Sequence, residues 1–497
     1  MEAFLVRAAQ LILSLAILVL LHEFGHFLFA RLFKVRVDKF YMFFNPNFSL
    51  IRAKKIEGKW NFKFFAKNVL PNERIKLDEN GNPMMDGKNQ VMEQVPTDEL
   101  PLDDWRRYPE TTEWGIGWLP LGGYCKISGM IDESMDKTQM SMPAQPWEYR
   151  SRSVWQRLPI IIGGVFVNFV LALVIYSAVI FAWGKEYIPL ENAKYGFSFS
   201  KTMQDVGFRN GDKILKVDDI ALKTYQEVGK KIIYDNAKKV TVKRVDSVFD
   251  INIPSDIEKK ILKSEKTPID IQYPFVIEEV TKNSIAEQAK LQTGDSIIGI
   301  NGKSLSMYQD IASELDLSKN KLVKLDFIRK GVSQSINIQL DNKGKLGVGL
   351  RPILKYFETK KETYGFFASF PEGIKMGVQT LAEYIKGLKF FATKEGLSNL
   401  GGFGTMGKLF PPVWDWQSFW MMTAFISVIL AFMNLLPIPG LDGGYVIFLI
   451  YEMITGKKPS EKFMENAVTI GFFLLVALML YANGNDIFKA IKEFLTR

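Results

Sequence analysis

Histidine and cysteine are almost missing from this chain: among 497 residues there are two histidines, and Cys125 is the only cysteine. A single cysteine excludes an intramolecular disulfide, so any part of the chain facing an oxidising compartment is held by packing alone. Charge is missing in blocks. Residues 8–30 carry none except Glu23 and the two histidines, and 160–183, 416–441 and 467–485 are almost as bare. A helix rises about 1.5 Å per residue and the hydrocarbon core is about 30 Å thick, so runs of roughly 20 residues can cross it. Four transmembrane helices are predicted, the last being the shortest. The first has no small-residue cleavage site after Ala30 and is expected to stay attached rather than act as a removable signal.

The formal charge of +9 has no basic helix, RNP-like motif or zinc knuckle beside it, which argues against nucleic acid and for lysines on solvated surface. The cations at the span ends are more informative. Arg31, Lys34, Arg36 and Lys39 follow the first span, Arg150, Arg152 and Arg157 introduce the second, and Lys457, Lys458 and Lys462 join the last two. The positive-inside rule places these in the cytoplasm and residues 184–413 outside.

Between the first two spans, residues 34–154 form a region of short alternating stretches. Its segment 114–127 (WGIGWLPLGGYCKI) is apolar but too rich in glycine for a helix, and strands of a membrane-associated sheet are expected. Residues 66–112 look like a polar insertion. In the outer region, 206–219 (VGFRNGDKILKVDD) repeats as 289–302 (AKLQTGDSIIGING), each copy placing a Gly-Asp turn before an apolar strand. This resembles the core of PDZ domains and implies two tandem PDZ-like α+β modules, 186–270 and 271–355. Residues 356–413 hold a glycine-rich segment and an amphipathic stretch, 371–393, that suits a membrane-interface helix and a soluble core helix equally. The third span with an LDG motif is assigned to 414–445 and the fourth with its tail to 446–497, after a first span at 1–33 and a second at 155–184.

The chemistry lies in His22-Glu23-Phe24-Gly25-His26. Histidines four apart on a helix share a face and can hold one cation, and Glu23 beside them can reach a metal-activated water. On a soluble helix the motif would be weak. Within an apolar run each ionisable group costs about 2.5–3.5 kcal/mol by insertion scales, so three of them without a purpose would not persist. A catalytic zinc usually takes three protein ligands, and with no further histidine the third must be an acidic residue or Cys125. Asp442 is the best candidate. It stands alone at the end of the third apolar run in NLLPIPGLDGG (434–444), where two prolines and three glycines break the helix and free backbone at membrane depth.

HEFGH in the first span together with N-x-x-P-x-P-x-LDGG in the third resembles the paired signatures of the site-2 protease family, and the similarity runs in order along nearly the whole chain. Gly122-Gly123-Tyr124 and the Gly163-Gly164…Asn168-Phe169 segment belong to the same pattern. The resemblance implies a polytopic bacterial inner-membrane zinc metalloprotease, with His22, His26 and Asp442 as ligands and Glu23 as general base. Asn434 and Asn168 would help hold an unwound substrate, and Pro437 and Pro439 are grouped with them. Gly122 and Gly123 would permit close approach of a substrate strand. The implied substrates are single-span membrane proteins of the anti-sigma factor or remnant signal peptide class, met in membrane lipid, with C-terminal peptides as ligands of the PDZ-like modules. The chain departs from the family in having Gly163-Gly164 where Gly-Pro is usual, in lacking proline at 401–404, and in its long insertion. The competing readings are a non-catalytic membrane scaffold, whose metal site would be closed by a fourth ligand such as Cys125, and a transporter, which would show inverted repeats that are absent here.

Overall fold

The computed structural model describes residues 2–68, 73–75, 82–86, 89–90, 92–94, 96–130, 143–263, 267–391 and 400–495. The chain divides into two units, one formed by 1–182, 365–382 and 401–484 and the other by 183–364, 383–400 and 485–497.

In the first unit, helices α1 (Glu2–Leu32) and α2 (Val154–Trp183) are followed by α3 (Phe366–Phe391), α4 (Trp416–Leu435), α5 (Asp442–Thr455) and α6 (Glu461–Leu495). Among the described residues α1, α2, α4 and α6 are long and apolar enough to cross a membrane. The third apolar run does not continue to 441 as one helix, and the 414–445 span needs correcting. Pro437 and Pro439 have no N–H to donate, so α4 ends at Leu435, the chain turns through Gly440 at φ +96°, and a separate helix begins on Asp442. Gly456 closes α5 in the left-handed region, donating its N–H to Glu452 O (2.8 Å). The part of α3 in this unit meets α2 through Gly373 and Gly377, where added Cβ atoms would overlap Ser177 and Leu173. Small residues four apart let two helix backbones approach closely.

A five-stranded sheet joins α1 to α2. Its strands are β1 (Val37–Phe44), β2 (Phe48–Ile56), β3 (Lys59–Lys67), β4 (Glu113–Ile116) and β5 (Leu119–Ile127), in the order β3-β2-β4-β1-β5. Only the β1–β4 pair is parallel, and β5 is an edge strand. The 114–127 segment thus supplies β4 and β5. Cross-strand partners share a face. One face carries Phe64, Ile51, Ile116 and Met42 in one row and Phe62, Ala53, Trp114 and Phe40 in the next. Phe40 and Trp114 pack on Phe27 of α1, with ring centroids 5.7 and 5.0 Å away. The other face is polar: Tyr41 donates to Glu113 Oε1 (2.6 Å), and Arg52 lies beneath the buried Trp105 ring, 5.3 Å from its centroid. Residues 69–72, 76–81, 87–88, 91 and 95 of the 66–112 insertion lie outside the described residues.

The second unit holds two successive modules. One core gathers Ile188, Phe197, Met203, Val217 and Val240, the other Phe275, Ile297, Ile311, Leu325 and Ile338. The sequence repeat is a structural repeat. Asp212 and Asp295, both almost fully buried, each accept two bonds from an arginine fork, Arg244 and Arg329, and one from a backbone N–H, that of Arg209 and of Gln292. The same arginines reach the matching carbonyls of Gly207 and Lys290. Asp218 and Asn301, both at positive φ, receive backbone N–H groups from the following strand.

Candidate metal centre and catalytic cavity

Helix α1 delivers His22 and His26 to one side, one turn apart. Their Nε2 atoms lie 3.3 Å from each other, and Asp442 Oδ2 lies 3.3 Å from His22 Nε2 and 3.4 Å from His26 Nε2. A tetrahedral zinc with ligands at about 2.0–2.1 Å holds its ligand atoms roughly 3.3–3.4 Å apart. The triangle therefore has the size such an ion requires. Asp442 Oδ2 is buried and receives no hydrogen bond, so two ring nitrogens converge on an oxygen that nothing satisfies. A cation at the centre resolves that arrangement. Among the described residues this trio is the one group of histidine, cysteine and acidic side chains close enough to hold a metal.

Neighbouring groups fix the imidazoles. His26 Nδ1 is 2.9 Å from Ile160 O, so Nδ1–H donates there and Nε2 keeps its lone pair. Asn168 lies with Nδ2 3.4 Å from His22 Nδ1, while its Oδ1 is buried without a partner. The other orientation of that amide puts Oδ1 where a metal-binding His22 needs an acceptor for Nδ1–H. Asn168 is itself placed by α4, since Ser427 donates to its carbonyl (2.7 Å). Asn434 Nδ2 stands 3.5 Å from His22 Nε2, near the same ring.

Helices α1 and α2 come this close because of glycine. A Cβ on Gly164 would stand 2.5 Å from His26 Nε2 and 2.6 Å from His22 Cε1, and one on Gly25 would overlap the Gly163 carbonyl. The Gly443-Gly444 pair plays the same part at the start of α5, packing on the backbone of 435–439.

The triangle opens into a cavity of about 840 Å³. Glu23, Gly122, Gly123, Asn168 and Asn434 line it, and so does Cys125, which stands outside the ligand triangle but hydrogen-bonds Glu23 through its backbone. Pro437 and Pro439 do not line it; Pro439 packs its backbone against Gly444 and Gly471 instead. Sequence reasoning took Gly163-Gly164 as a family mark and gave no role to Gly25, Ile160 or Tyr445, the last of which lines the cavity. A Gly-Gly pair inside an apolar span was the available signal, because glycine there costs helix stability unless a neighbour needs the space.

Membrane-crossing helices around two histidines, a glutamate and an aspartate, open to a cavity, define a membrane-embedded metalloprotease. The chain belongs to Peptidase family M50, which matches residues 10–67 and 103–478. It is 26% identical over 479 residues to a Rickettsia conorii protein provisionally named a zinc metalloprotease, covering 96% of this chain and 97% of that one. It is 26% identical over 515 residues to the regulator of sigma-E protease RseP of Escherichia coli, covering 98% and 99%, and 26% identical over 517 residues to protease RseP of Yersinia pestis, covering 98% and 99%. A solved PDZ domain of an SdrC-like protein from Listeria monocytogenes is 19% identical, covering 16% of this chain and 92% of its own, with a TM-score of 0.15, too low to carry an argument. The protein is a site-2-type intramembrane metalloprotease.

Proposed function

We propose that the metal is zinc, held by His22, His26 and Asp442, and that the enzyme cuts single-span proteins within the bacterial inner membrane. The 3.3–3.4 Å triangle around an unsatisfied carboxylate oxygen carries the proposal. Zinc, when bound, supplies Lewis acidity that makes water a usable nucleophile near neutral pH and polarises the scissile carbonyl. Glu23 takes the proton released by that water and returns it to the departing amine. Asn168 and Asn434 hold the substrate backbone near the metal.

A helical substrate keeps its carbonyls internally bonded, so cleavage needs an extended segment. Strand β5, at the sheet's edge among the described residues, borders the cavity through Leu119, Gly122 and Gly123, which supports addition of the substrate as a further strand. The exposed aromatic face of β3, with Trp60, Phe62 and Phe64 all more than half exposed, supports contact between this sheet and lipid. The two modules with repeated Gly-Asp turns are PDZ-like and periplasmic. They bind C-terminal peptides or hold back substrates with bulky outer domains. The basic residues following α1 put the HExxH end of that helix, and so the active site, toward the cytoplasm. The substrate class is anti-sigma factors or remnant signal peptides.

The test is Asp442→Asn in purified enzyme. Zinc content should fall well below one per chain and cleavage of a single-span reporter should be lost; retention of wild-type zinc affinity would remove Asp442 from the ligand set. Strand addition is tested on the substrate side. Proline walked through the reporter should block cleavage at alternating positions, whereas uniform tolerance would refute a paired strand.

A further inference from the structure

Arg157 and Glu452 form a buried ion pair between α2 and α5, with Nη2 to Oε1 at 2.5 Å and side chains 8% and 12% exposed. Burying both charges beside apolar helices is expensive, and a well-packed apolar pair is often as stable or more so. Such pairs are best attested where they fix a register. The placement of this one says which register is fixed.

Arg157, Ile160, Gly164 and Asn168 follow one another at spacings of three, four and four residues, along one face of α2. Ile160 accepts from His26, Gly164 lies against both imidazoles, and Asn168 lies against His22. On the other helix, α5 begins with Asp442 and reaches Glu452 about three turns later. The two helices therefore meet at both ends, at the ligand triangle and at the ion pair, and run antiparallel between them. Tyr445, Val446 and Leu449 of α5 share one apolar cluster with Ile160 and Ile161 of α2. Apolar burial is non-directional, whereas a charge pair held at hydrogen-bond distance between the two helices sets both slide and rotation.

We infer that Arg157 and Glu452 are positioning residues for the metal. The pair locks α5 against α2 so that Asp442 Oδ2 sits equally far from the two imidazoles that α2 orients. Neither residue touches substrate or metal. This rests on the zinc reading above, but only in naming the ion; its content is the register between two helices.

The test compares Glu452→Gln, the double replacement Arg157→Met with Glu452→Met, and the exchanged pair Arg157→Glu with Glu452→Arg, all in full-length detergent-solubilised protein. Zinc affinity is measured by competition with a chromophoric chelator, and site geometry by the visible absorption of the Co²⁺-substituted enzyme. Glu452→Gln and the double methionine variant should bind zinc roughly 10–100-fold more weakly, as when partners of metal ligands are removed. Their Co²⁺ bands should shift, and the exchanged pair should recover toward wild type. The methionine pair keeps the packing and serves where a single variant fails to fold. A folded methionine pair with zinc affinity within twofold of wild type and an unshifted Co²⁺ spectrum would overturn the inference. If Asp442→Asn left zinc binding intact, the ligand assignment itself would fail, which is a different result.

Discussion

Gly163 of the second membrane helix lies directly against Gly25 of the first: a Cβ on Gly163 would come 2.7 Å from the Gly25 carbonyl oxygen, and a Cβ on Gly25 would overlap the Gly163 carbonyl. One residue along, Gly164 faces the His22 and His26 rings at a similar distance. Substituting Gly164 by alanine should therefore displace the imidazoles and lower zinc affinity at least tenfold, while Gly387→Ala on α3, where nothing lies within 4 Å, should change neither zinc content nor cleavage. Zinc titration of the two variants checks this.

The second module should show an acid limit set by Asp295. Burial raises the Asp295 carboxyl, but the Arg329 fork and the Gln292 N–H outweigh it and hold the group below the ordinary carboxylate range. A depressed folded value means the contribution is complete above about pH 4, the unfolded value, and disappears as pH falls through the folded one. Arg329→Met leaves Asp295 buried without its partner and should destabilise the second module by about 3 kcal/mol at neutral pH. Hydrogen exchange of the intact protein at neutral pH, followed strand by strand between Ser296 and Gln339, should be faster in the variant; wild-type protection would argue against the ion pair's role.

Trp60 should report lipid. If the aromatic face of β3 enters the bilayer interface, brominated lipids should quench a component of the tryptophan fluorescence that is missing in Trp60→Phe. Phe62→Glu should weaken that quenching by charging the same face. Equal quenching of wild type and Trp60→Phe would place the strand away from lipid.

Much of the site could be read before any coordinates. Histidines in an apolar run are costly, and cost is visible in sequence; so is a lone aspartate after broken helix, and with no other histidine in the chain few residues are left as a third ligand. The sheet was only partly legible. Its segment 114–127 is marked by glycine and aromatic residues and 34–154 as a whole by short alternating stretches, but the bounds of β1 to β3 and the insertion of β4 between β1 and β2 depend on long-range pairing. Pro437 and Pro439, grouped with the substrate-holding residues in the sequence, act in the structure through the backbone, by ending α4 and packing beside the start of α5. The Arg157–Glu452 pair was invisible for a different reason: Arg157 was counted among the basic residues that orient the protein, and nothing in a linear sequence joins it to Glu452. Long-range pairing, not residue chemistry, was the missing information.

The proposed mechanism makes Glu23 the base beside a metal it does not bind. The direct measurement is zinc content and cleavage of a single-span membrane reporter by Glu23→Gln, next to wild type. The expected result is one zinc per chain in both and cleavage reduced about 10²–10⁴-fold in the variant, the range over which a positioned general base contributes to rate. Full cleavage by Glu23→Gln with zinc retained would contradict it.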